Sequence, residues 1–276
     1  MTYFRNNNAY IEKDGLFSIE KIFDCGQCFR FERDDNGFSG VAFGRKLRLY
    51  DEDDYTVFEN VAEDEFNKIW KDYFDLSRDY NGINDMLCRD GTAAKAVEAS
   101  RGIRILRQDR WETLCSFIIS QNNNIPRIKK IIGRLCESLG TDIGGAYTFP
   151  SAEVIAKAGA EKLAVIKSGF RANYIADAAL KVASGQIDLD AAGKMEYEEA
   201  KKYLMTIRGV GPKVADCVLL FGYSFLSAFP KDVWIKRVID KYYGDSFDEK
   251  IFAPYGGIAQ QYLFYYERWI SSGKRQ

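Results

Sequence analysis

The sequence predicts an α+β fold, with an antiparallel β region over residues 1–100 packed on an all-α region over residues 101–276. Short aromatic and β-branched runs separated by turn residues fill the first 61 positions, whereas apolar residues recur at helical spacing beyond residue 100. The charge divides at the same place: residues 1–100 carry 13 Lys and Arg against 21 Asp and Glu, a net −8, and the remainder carries 26 against 19, a net +7. This asymmetry fits an acidic region joined to an anion-binding one, and also an ordinary solvated surface.

The first region contains predicted strands at residues 29–33, 38–43 and 47–50. They are bounded by turn-forming Asp, Asn and Gly at 34–37 and by acidic residues at 51–54. Aromatic and β-branched runs bounded in this way are typical of an antiparallel sheet. A helical pattern follows at residues 62–77.

The second region contains a series of predicted helices. In the clearest one, Ile128, Ile131, Ile132, Leu135, Cys136 and Leu139 recur at the spacing of one helix face. Basic residues on the other faces make this an amphipathic helix with a partly basic outer side. Further helices are predicted at residues 109–120, 151–158, 160–167, 172–184, 195–206, 212–222 and 232–242.

The composition excludes several classes of protein. With 46% hydrophobic and 14% aromatic residues, the chain can bury a core, which excludes disorder as its dominant state. It has no histidine, which excludes Ser-His-Asp and Cys-His catalysis and His-bound zinc. No stretch approaches the ~20 apolar residues that cross a bilayer, and the first residues lack the apolar core of a signal peptide. We therefore expect a cytoplasmic protein, associated with the nucleoid if it is prokaryotic.

Six cysteines, at positions 25, 28, 88, 115, 136 and 217, are few for a chain of this length. We expect no disulfide framework, because several of them lie in helical apolar patterns. Cys25 and Cys28 form a Cys-x-x-Cys motif. No second pair completes a zinc site, and the motif does not stand at a strand-to-helix junction as redox motifs do, so neither chemistry is predicted.

Residues 204–232 carry the most specific pattern. A helix ends near residue 207, Gly209 and Gly211 flank a tight turn, and Pro212 suits the first turn of the next helix. Glycines at a helix start let backbone N–H groups approach an anion, so the two glycines are candidates for a phosphate-binding hairpin. Alone, a Gly-x-Gly turn between helices is a weak signal.

Three side chains near this turn are candidates for chemistry. Lys213 lies in the first helical turn, where the helix dipole disfavours a positive charge by about 0.3–1 kcal/mol, and a neutral amine can form a Schiff base. The alternative is a lysine that is solvated or binds phosphate. Cys217 shares the helix face of Lys213 and either lines the same pocket or is a core cysteine. Asp232 fits an N-cap, and it also fits a carboxylate that stabilises positive charge on a sugar or activates the amine.

The hairpin, with Lys213 after it and Asp232 downstream, resembles the helix-hairpin-helix DNA glycosylase superfamily. More narrowly, the chain resembles the 8-oxoguanine DNA glycosylases of the eukaryotic type and their bacterial relatives. The likeness covers nearly the whole chain in family order, through the blocks CGQCFR from Cys25, LRQD from Leu106, FIISQNNNI from Phe117, GFRA from Gly169, VGPKVADC from Val210 and AQQYLF from Ala259.

The resemblance implies a TATA-binding-protein-like N-terminal domain packed on a helix-hairpin-helix glycosylase domain. It implies that Lys213 attacks C1′ of the deoxyribose, displaces the damaged base and leaves an imine from which the 3′ phosphate is eliminated. Asp232 would stabilise the cationic sugar and help to align the amine. The implied enzyme is a bifunctional 8-oxoguanine DNA glycosylase and abasic-site lyase that flips the damaged nucleotide out of duplex DNA.

The same resemblance implies a pocket for the extruded base. Cys217 and Phe264 would contact its two faces, and Gln260 would hydrogen-bond its Watson–Crick edge. The carbonyl oxygen of Gly26 would detect the N7–H that oxidised guanine has and guanine lacks. Such a hydrogen bond discriminates strongly, because the normal base leaves the acceptor unpaired.

Further matching residues would act on the DNA around the flipped nucleotide. Asn122 would fill the vacated space, and Arg127 and Arg171 would read the opposite cytosine. Without the resemblance, Asn122 fits a helix cap and the two arginines fit surface charges. Phe170 stands where eukaryotic relatives have a wedging tyrosine, and Trp234 stands where they have a phosphate-contacting histidine.

The resemblance implies no required cofactor, although the hairpin of relatives holds a cation through carbonyls that correspond to Met205, Ile207 and Val210. The expected partner is double-stranded DNA that contains 8-oxoguanine. We expect no association with a membrane, and we expect the protein to be a monomer. Two alternatives stay open from the residues: a glycosylase for another damaged purine, and a non-catalytic DNA-binding module in which Lys213 only touches phosphate.

Overall fold

A computed structural model describes residues 2–271 and shows an antiparallel sheet region followed by a helical region. The strands are β1 (Thr2–Arg5), β2 (Asn8–Glu12), β3 (Phe31–Arg33), β4 (Gly37–Ala42), β5 (Arg45–Glu52) and β6 (Tyr55–Glu59). They form one sheet in the order β1-β2-β6-β5-β4-β3 with antiparallel pairing throughout. The predictions for 38–43 and 47–50 are confirmed by β4 and β5, whereas only the last three residues of 29–33 form a strand.

The register of the sheet places its apolar residues on one face. Leu49 in β5 pairs with Phe38 on one side and Phe58 on the other, and all three side chains are buried. Pairs of this kind stabilise a sheet only when a second layer covers them. Helix α1 (Ile19–Asp24) supplies part of that layer, where Phe23 stacks on Phe31 with ring centroids 4.2 Å apart.

The rest of the covering layer is one helical stretch that confirms the prediction for residues 62–77. It consists of α2 (Glu63–Glu65), a π-helical turn (Phe66–Trp70) and α3 (Lys71–Tyr73). Phe66 and Trp70 are at most 2% exposed and belong to the same apolar cluster as the buried face of the sheet.

The helical region contains α4 (Tyr80–Leu87), α5 (Gly91–Ser100), α6 (Arg110–Ser120), α7 (Ile125–Leu139), α8 (Ala152–Lys162), α9 (Arg171–Ala183), α10 (Leu189–Ala192), α11 (Tyr197–Leu204), α12 (Pro212–Tyr223), α13 (Val233–Tyr242) and α14 (Gly256–Ser271), with 3₁₀ turns at Leu163–Ile166, Gly244–Ser246 and Glu249–Phe252. Each predicted helix is present within a few residues of its predicted bounds, except the one at 160–167. Its first residues end α8 after a kink at Gly159, and the rest is the 3₁₀ turn Leu163–Ile166. The amphipathic pattern is confirmed in α7, which begins where Asn124 accepts the N–H of Arg127 and where Pro126 lies in the first turn.

Helices α4, α5, α10 and α14 lie outside the predicted set, and they pack with the helical core. Their buried residues, including Tyr80, Val97 and Tyr262, join one apolar cluster with α6, α7, α9 and α12. Residues 80–100 therefore precede the helical region in sequence but belong to its core. The described helices include none whose length and apolar character would suit a membrane span.

Candidate active site

A cavity of about 680 Å³ opens where α6, α12, α13 and α14 meet the loop after α1. Its walls bring together residues that the sequence singled out, from positions spread over 239 residues of chain: Gly26, Asn122, Lys213, Cys217, Asp232, Trp234, Gln260 and Phe264. Gly211 also lines it. The lining does not include Gly209, Arg127, Phe170 or Arg171, which lie elsewhere on the helical region.

The predicted hairpin connects α11 to α12 and sets the position of Lys213. Gly209 has φ +82°, and a Cβ at this residue would lie 2.3 Å from the ring of Tyr174 in α9, so only glycine fits. Gly211 is the N-cap of α12, and a Cβ there would meet open space. Because the space beside Gly211 is open, an anion can approach the backbone N–H groups at the start of α12.

Lys213 extends from the first turn of α12 into the cavity. Its Nζ lies 5.3 Å from the centroid of the Phe117 ring, which forms part of the apolar wall. Cys217, one turn further along α12, is 3% exposed. Burial raises the pKa of its thiol to about 11, although the charge of Lys213 opposes the shift. The cavity therefore holds a neutral thiol beside the amine.

Asp232 is the N-cap of α13, and it also lines the cavity. Its Oδ1 accepts the N–H groups of Trp234 and Ile235, at 3.0 and 2.9 Å, and so caps α13. Burial raises the pKa of this carboxyl, while the N–H of Ile235 and the charge of Lys213 act in the opposite direction. A carboxylate held in this way interacts electrostatically with Lys213 across the cavity.

The far end of the cavity has the composition expected for a purine pocket. Gln260 is 4% exposed, and its Oε1 is buried without a hydrogen-bond partner among the described residues. A buried acceptor without a partner is costly, so a ligand donor at this atom would be favourable. Gly26, at φ +74°, lies against the edge of Phe264: a Cβ there would be 3.4 Å from Cε1 of that ring.

Phe170 and Asn122 are exposed, as a residue that enters DNA must be. Phe170 is 51% exposed and contacts Tyr174 edge-on, with ring centroids 5.6 Å apart. Asn122 follows the C-terminus of α6 at φ +46°, a left-handed conformation that Asn tolerates better than most residues. The cap of α7 is Asn124, so the alternative that Asn122 caps that helix is wrong.

The two arginines differ in their surroundings. Arg127 is exposed, and its positive charge lowers the pKa of Arg171 after the larger effect of burial. Arg171 is only 3% exposed, and its guanidinium donates to the carbonyls of Gln121, Asn122 and Ser168. The interpretation of Arg171 as a surface charge is therefore wrong: in this structure it holds the backbone on which Asn122 is presented.

The carbonyls singled out for a cation surround the hairpin turn. That of Ile207 accepts the N–H of Val210 at 3.0 Å. Among the residues that the structure describes, no backbone N–H donates to the carbonyls of Met205 or Val210, which leaves both with the capacity to ligate. The neighbouring carbonyl of Thr206 already accepts from the ammonium of Lys181 at 2.9 Å.

Sequence reasoning missed several polar residues around the cavity, above all Gln261, Arg268 and Gln108. Gln261 and Arg268 line it from α14, a helix that was not predicted. Gln108 precedes α6 and donates to the backbone of the loop that carries Gly26. Gln108 and Gln261 lie within the blocks LRQD and AQQYLF, but no local pattern indicates what they contact, because these contacts join segments from 81 to 244 residues apart.

Comparison with known families matches both regions. Residues 10–114 match the model of the 8-oxoguanine DNA glycosylase N-terminal domain, and residues 115–251 match that of the HhH-GPD superfamily of base excision DNA repair proteins. The second match includes Lys213 and Asp232 and stops before Gln260 and Phe264.

Similar proteins span the chain. An N-glycosylase/DNA lyase of Saccharomyces cerevisiae is 31% identical over 255 residues, which cover 82% of this chain and 68% of the yeast protein. The structure of MBOgg1 in complex with a low-affinity DNA ligand is 41% identical with a TM-score of 0.93, covering 98% of this chain and 99% of that one. The 8-oxoguanine glycosylase/lyase of Clostridium acetobutylicum, solved with DNA containing cytosine opposite 8-oxoguanine, is 36% identical with a TM-score of 0.91, covering 98% of both chains.

Proposed function

Because this chain belongs to the 8-oxoguanine DNA glycosylase family, we propose that it removes 8-oxoguanine from double-stranded DNA and then cleaves the resulting abasic site. The observation that carries the assignment of its site is the single cavity that contains an amine, a carboxylate and an unpartnered buried amide oxygen, from Lys213, Asp232 and Gln260. The cavity accounts for both halves of the reaction, because one part holds the reactive groups and the other fits a base that has left the stack.

In the proposed reaction, Nζ of Lys213 bonds to C1′ as the bond from C1′ to N9 of the base breaks. The departing base takes up the proton that the amine loses, and opening of the sugar ring gives an imine. Solvent then takes a proton from C2′, the electron pair of that C–H bond forms the C2′–C3′ double bond, and the C3′–O bond breaks to release the 3′ phosphate. Oδ2 of Asp232, which is not used by the helix cap, stabilises the positive charge that develops on the sugar.

The base itself is proposed to lie between Cys217 and Phe264. The neutral thiol of Cys217 suits contact with an aromatic face, because a thiolate would repel the electrons of the ring. The free Oε1 of Gln260 would accept from the Watson–Crick edge, and the carbonyl of Gly26 would accept from N7–H.

Around the flipped nucleotide, we propose that Asn122 fills the gap and that Phe170 wedges between bases, since both are exposed at chain turns. Arg127 is proposed to read the opposite cytosine directly. Arg171 would join it only by releasing some of its present carbonyl partners. Gly209 and Gly211 would present backbone N–H groups of the hairpin to a DNA phosphate.

No step of this mechanism needs a cofactor, because the chain itself supplies every group that it uses. A cation at the carbonyls of Met205, Ile207 and Val210 would act only on the hairpin, where its charge would attract a DNA phosphate. We propose that the protein works as a monomer in the compartment that holds the genome, which is the cytoplasm and its nucleoid in a prokaryote.

Reduction of the imine by borohydride tests the assignment. On an 8-oxoguanine duplex the wild-type protein should become covalently linked to DNA, and Lys213→Gln should lose the adduct. Lys231→Gln is the matched control, because Lys231 lines the same cavity but is paired with Glu249 at 2.9 Å; its adduct should persist. Failure of the wild type to form an adduct, or an undiminished adduct in Lys213→Gln, would reject the proposal.

A further inference from the structure

Four consecutive carbonyls, those of residues 24–27, run from the last residue of α1 into the loop that carries Gly26, and three of them accept hydrogen bonds from distant side chains. Arg268 donates to Asp24 at 2.7 Å, Gln261 donates to Cys25, and Gln108 donates to Gln27 at 2.7 Å. The carbonyl of Gly26 is the exception: no donor of the residues that the structure describes reaches it. Gly26 is also the member of this set whose carbonyl the proposed function requires to be free.

The three donors approach from two elements of the helical region. Gln261 and Arg268 belong to α14, and Gln108 belongs to the segment that leads into α6. Gln261 is 3% exposed, so water has little access to compete for its amide. The same helix carries Gln260 and Phe264, which places the loop and the proposed base contacts on one support.

A fourth side chain fixes the loop from inside. Gln27 is fully buried; its amide donates to the carbonyls of Ile22 and Arg104, at 3.2 and 2.9 Å, and accepts the N–H of Leu106. The peptide planes on both sides of Gly26 are therefore held. Since a peptide unit is planar, fixing its neighbours limits the direction in which the Gly26 carbonyl can point.

We propose that Gln261 and Gln108 are positioning residues that hold the Gly26 carbonyl in place for the oxidised base. This inference rests on the proposed function, because it assigns to Gly26 the role of accepting N7–H. A fixed acceptor recognises a donor better than a mobile one, since no ordering is required when the base enters. Neither glutamine touches the sugar or the amine in this mechanism, so both should affect base recognition and not the lyase step.

The test compares two reactions of the same variant. Gln261→Leu removes the amide and keeps a similar apolar stem. Single-turnover excision of 8-oxoguanine should fall by about 10-fold, the effect of losing one buried hydrogen bond. Cleavage of a duplex that already contains an abasic site should stay within about 2-fold of wild type, because that substrate has no base to recognise. Unchanged excision, or an equal fall in both reactions, would overturn the proposal.

Two further variants complete the design. Ser100→Ala removes a buried hydrogen bond to the carbonyl of Tyr262 in α14, the helix that carries Gln261, without touching the loop. Both excision and abasic-site cleavage by this variant should match those of the wild type. Gln108→Ala decides the outcome if Gln261→Leu does not fold, since Gln108 is only half-buried and should show the same split between the reactions. A wild-type protein that excises no 8-oxoguanine would instead reject the proposed function, so the two failures are distinguishable.

Discussion

In the proposed reaction, Asp232 serves both the fold and the chemistry. The helix cap uses only Oδ1, which accepts two N–H groups at the start of α13. Oδ2 remains for the sugar, and the cap keeps the carboxylate from rotating away from the cavity. Capping thus supplies the rigidity that electrostatic stabilisation of a transition state needs.

Because Oδ1 forms the cap and Oδ2 faces the sugar in the proposed reaction, Asp232→Asn should remove the negative charge and keep the helix cap. Asparagine caps helices as well as aspartate does, so the free energy of unfolding should change by less than about 1 kcal/mol. Loss of the negative charge should slow excision by roughly 10²–10³-fold. Denaturant unfolding and single-turnover excision measure the two effects. Asp188→Asn, at the cap of α10, is the control and should alter neither.

The pH dependence of excision provides a second test of the role of the Asp232 carboxylate. Burial raises the pKa of Asp232 above its ordinary value of 3.8, so the folded protein takes up this proton at a higher pH than a solvated aspartate would. In the proposed mechanism excision needs the ionised form, so it should fall as the pH is lowered through the raised pKa. Asp232→Asn should lack this acid limb, and an identical limb in the variant would assign it to another group.

At the scale of single residues, the sequence identifies those whose structural setting is defined by their neighbours in the chain. Lys213 and Asp232 follow from a turn and a cap, which adjacent residues define. The roles of Gln261 and Arg268 depend on a loop more than 230 residues away, so no spacing in the sequence indicates them. Arg171 has the right residue type, but only the structure shows that it grips the carbonyls of Gln121 and Asn122.

Among the elements, the hairpin depends on α9 for its shape. Tyr174 fills the space beside Gly209, Asp177 accepts the N–H of Arg208 at 3.0 Å, and Lys181 donates to the carbonyl of Thr206 at 2.9 Å. Three side chains on one face of α9 thus fix the turn that starts α12. The contact between α9 and the hairpin therefore sets the position of Lys213 in the first turn of α12.

The two glycines of the hairpin should therefore respond differently to substitution. Gly209→Ala places a methyl group 2.3 Å from the ring of Tyr174 at a positive φ, and should destabilise the protein by about 2–4 kcal/mol. Gly211→Ala meets open space, and should cost less than about 1 kcal/mol while weakening DNA binding at the hairpin. Chemical denaturation and DNA titration separate the two, and equal losses of stability would contradict this account.

Periodicity predicted several of the elements that have one apolar side, although it missed α4, which buries Tyr80, Ile83 and Leu87 on one face. Helix α7 buries a single stripe, so its pattern was evident, and strands β4 and β5 are bounded by turn residues. Helix α14 begins with a run of eight buried residues, 256–263, and has no single polar face over this run to give it a period. Helix α12 buries an equally long run, 214–221, but the Gly-Val-Gly turn and Pro212 before it marked its start.

On the scale of the whole molecule, two apolar cores meet along the segment that enters α6. Arg104 in this segment donates to the carbonyls of Leu16, Phe74, Leu76 and Arg78, and its guanidinium lies 4.3 Å from the centroid of the Tyr80 ring. The loop of Gly26 is tied to the same segment through Gln27. The active-site cavity thus depends on the contact between the regions, which composition and charge alone do not describe.

A second link between the two regions is the ion pair of Arg30 and Glu112. Arg30 precedes β3 and Glu112 lies in the first turn of α6, with Nη1 and Oε2 3.5 Å apart and side chains only 9% and 16% exposed. Burial raises the pKa of Glu112 from its ordinary 4.5 to about 7, despite the opposing charge of Arg30. The folded protein therefore holds a proton between these pH values that the unfolded chain has released.

Stability should accordingly decrease as the pH rises from about 4.5 to 7, and above that window the ionised Glu112 should cost roughly 1–3 kcal/mol. Glu112→Gln cannot ionise, so its free energy of unfolding should lack this part of the slope and exceed that of the wild type at pH 8. Urea unfolding at pH 5, 6, 7 and 8 measures the difference, with Glu137→Gln at an exposed position of α7 as the control. If Glu112→Gln keeps the wild-type slope, the proton is held elsewhere and the contact between the regions is not sensitive to pH through this carboxyl.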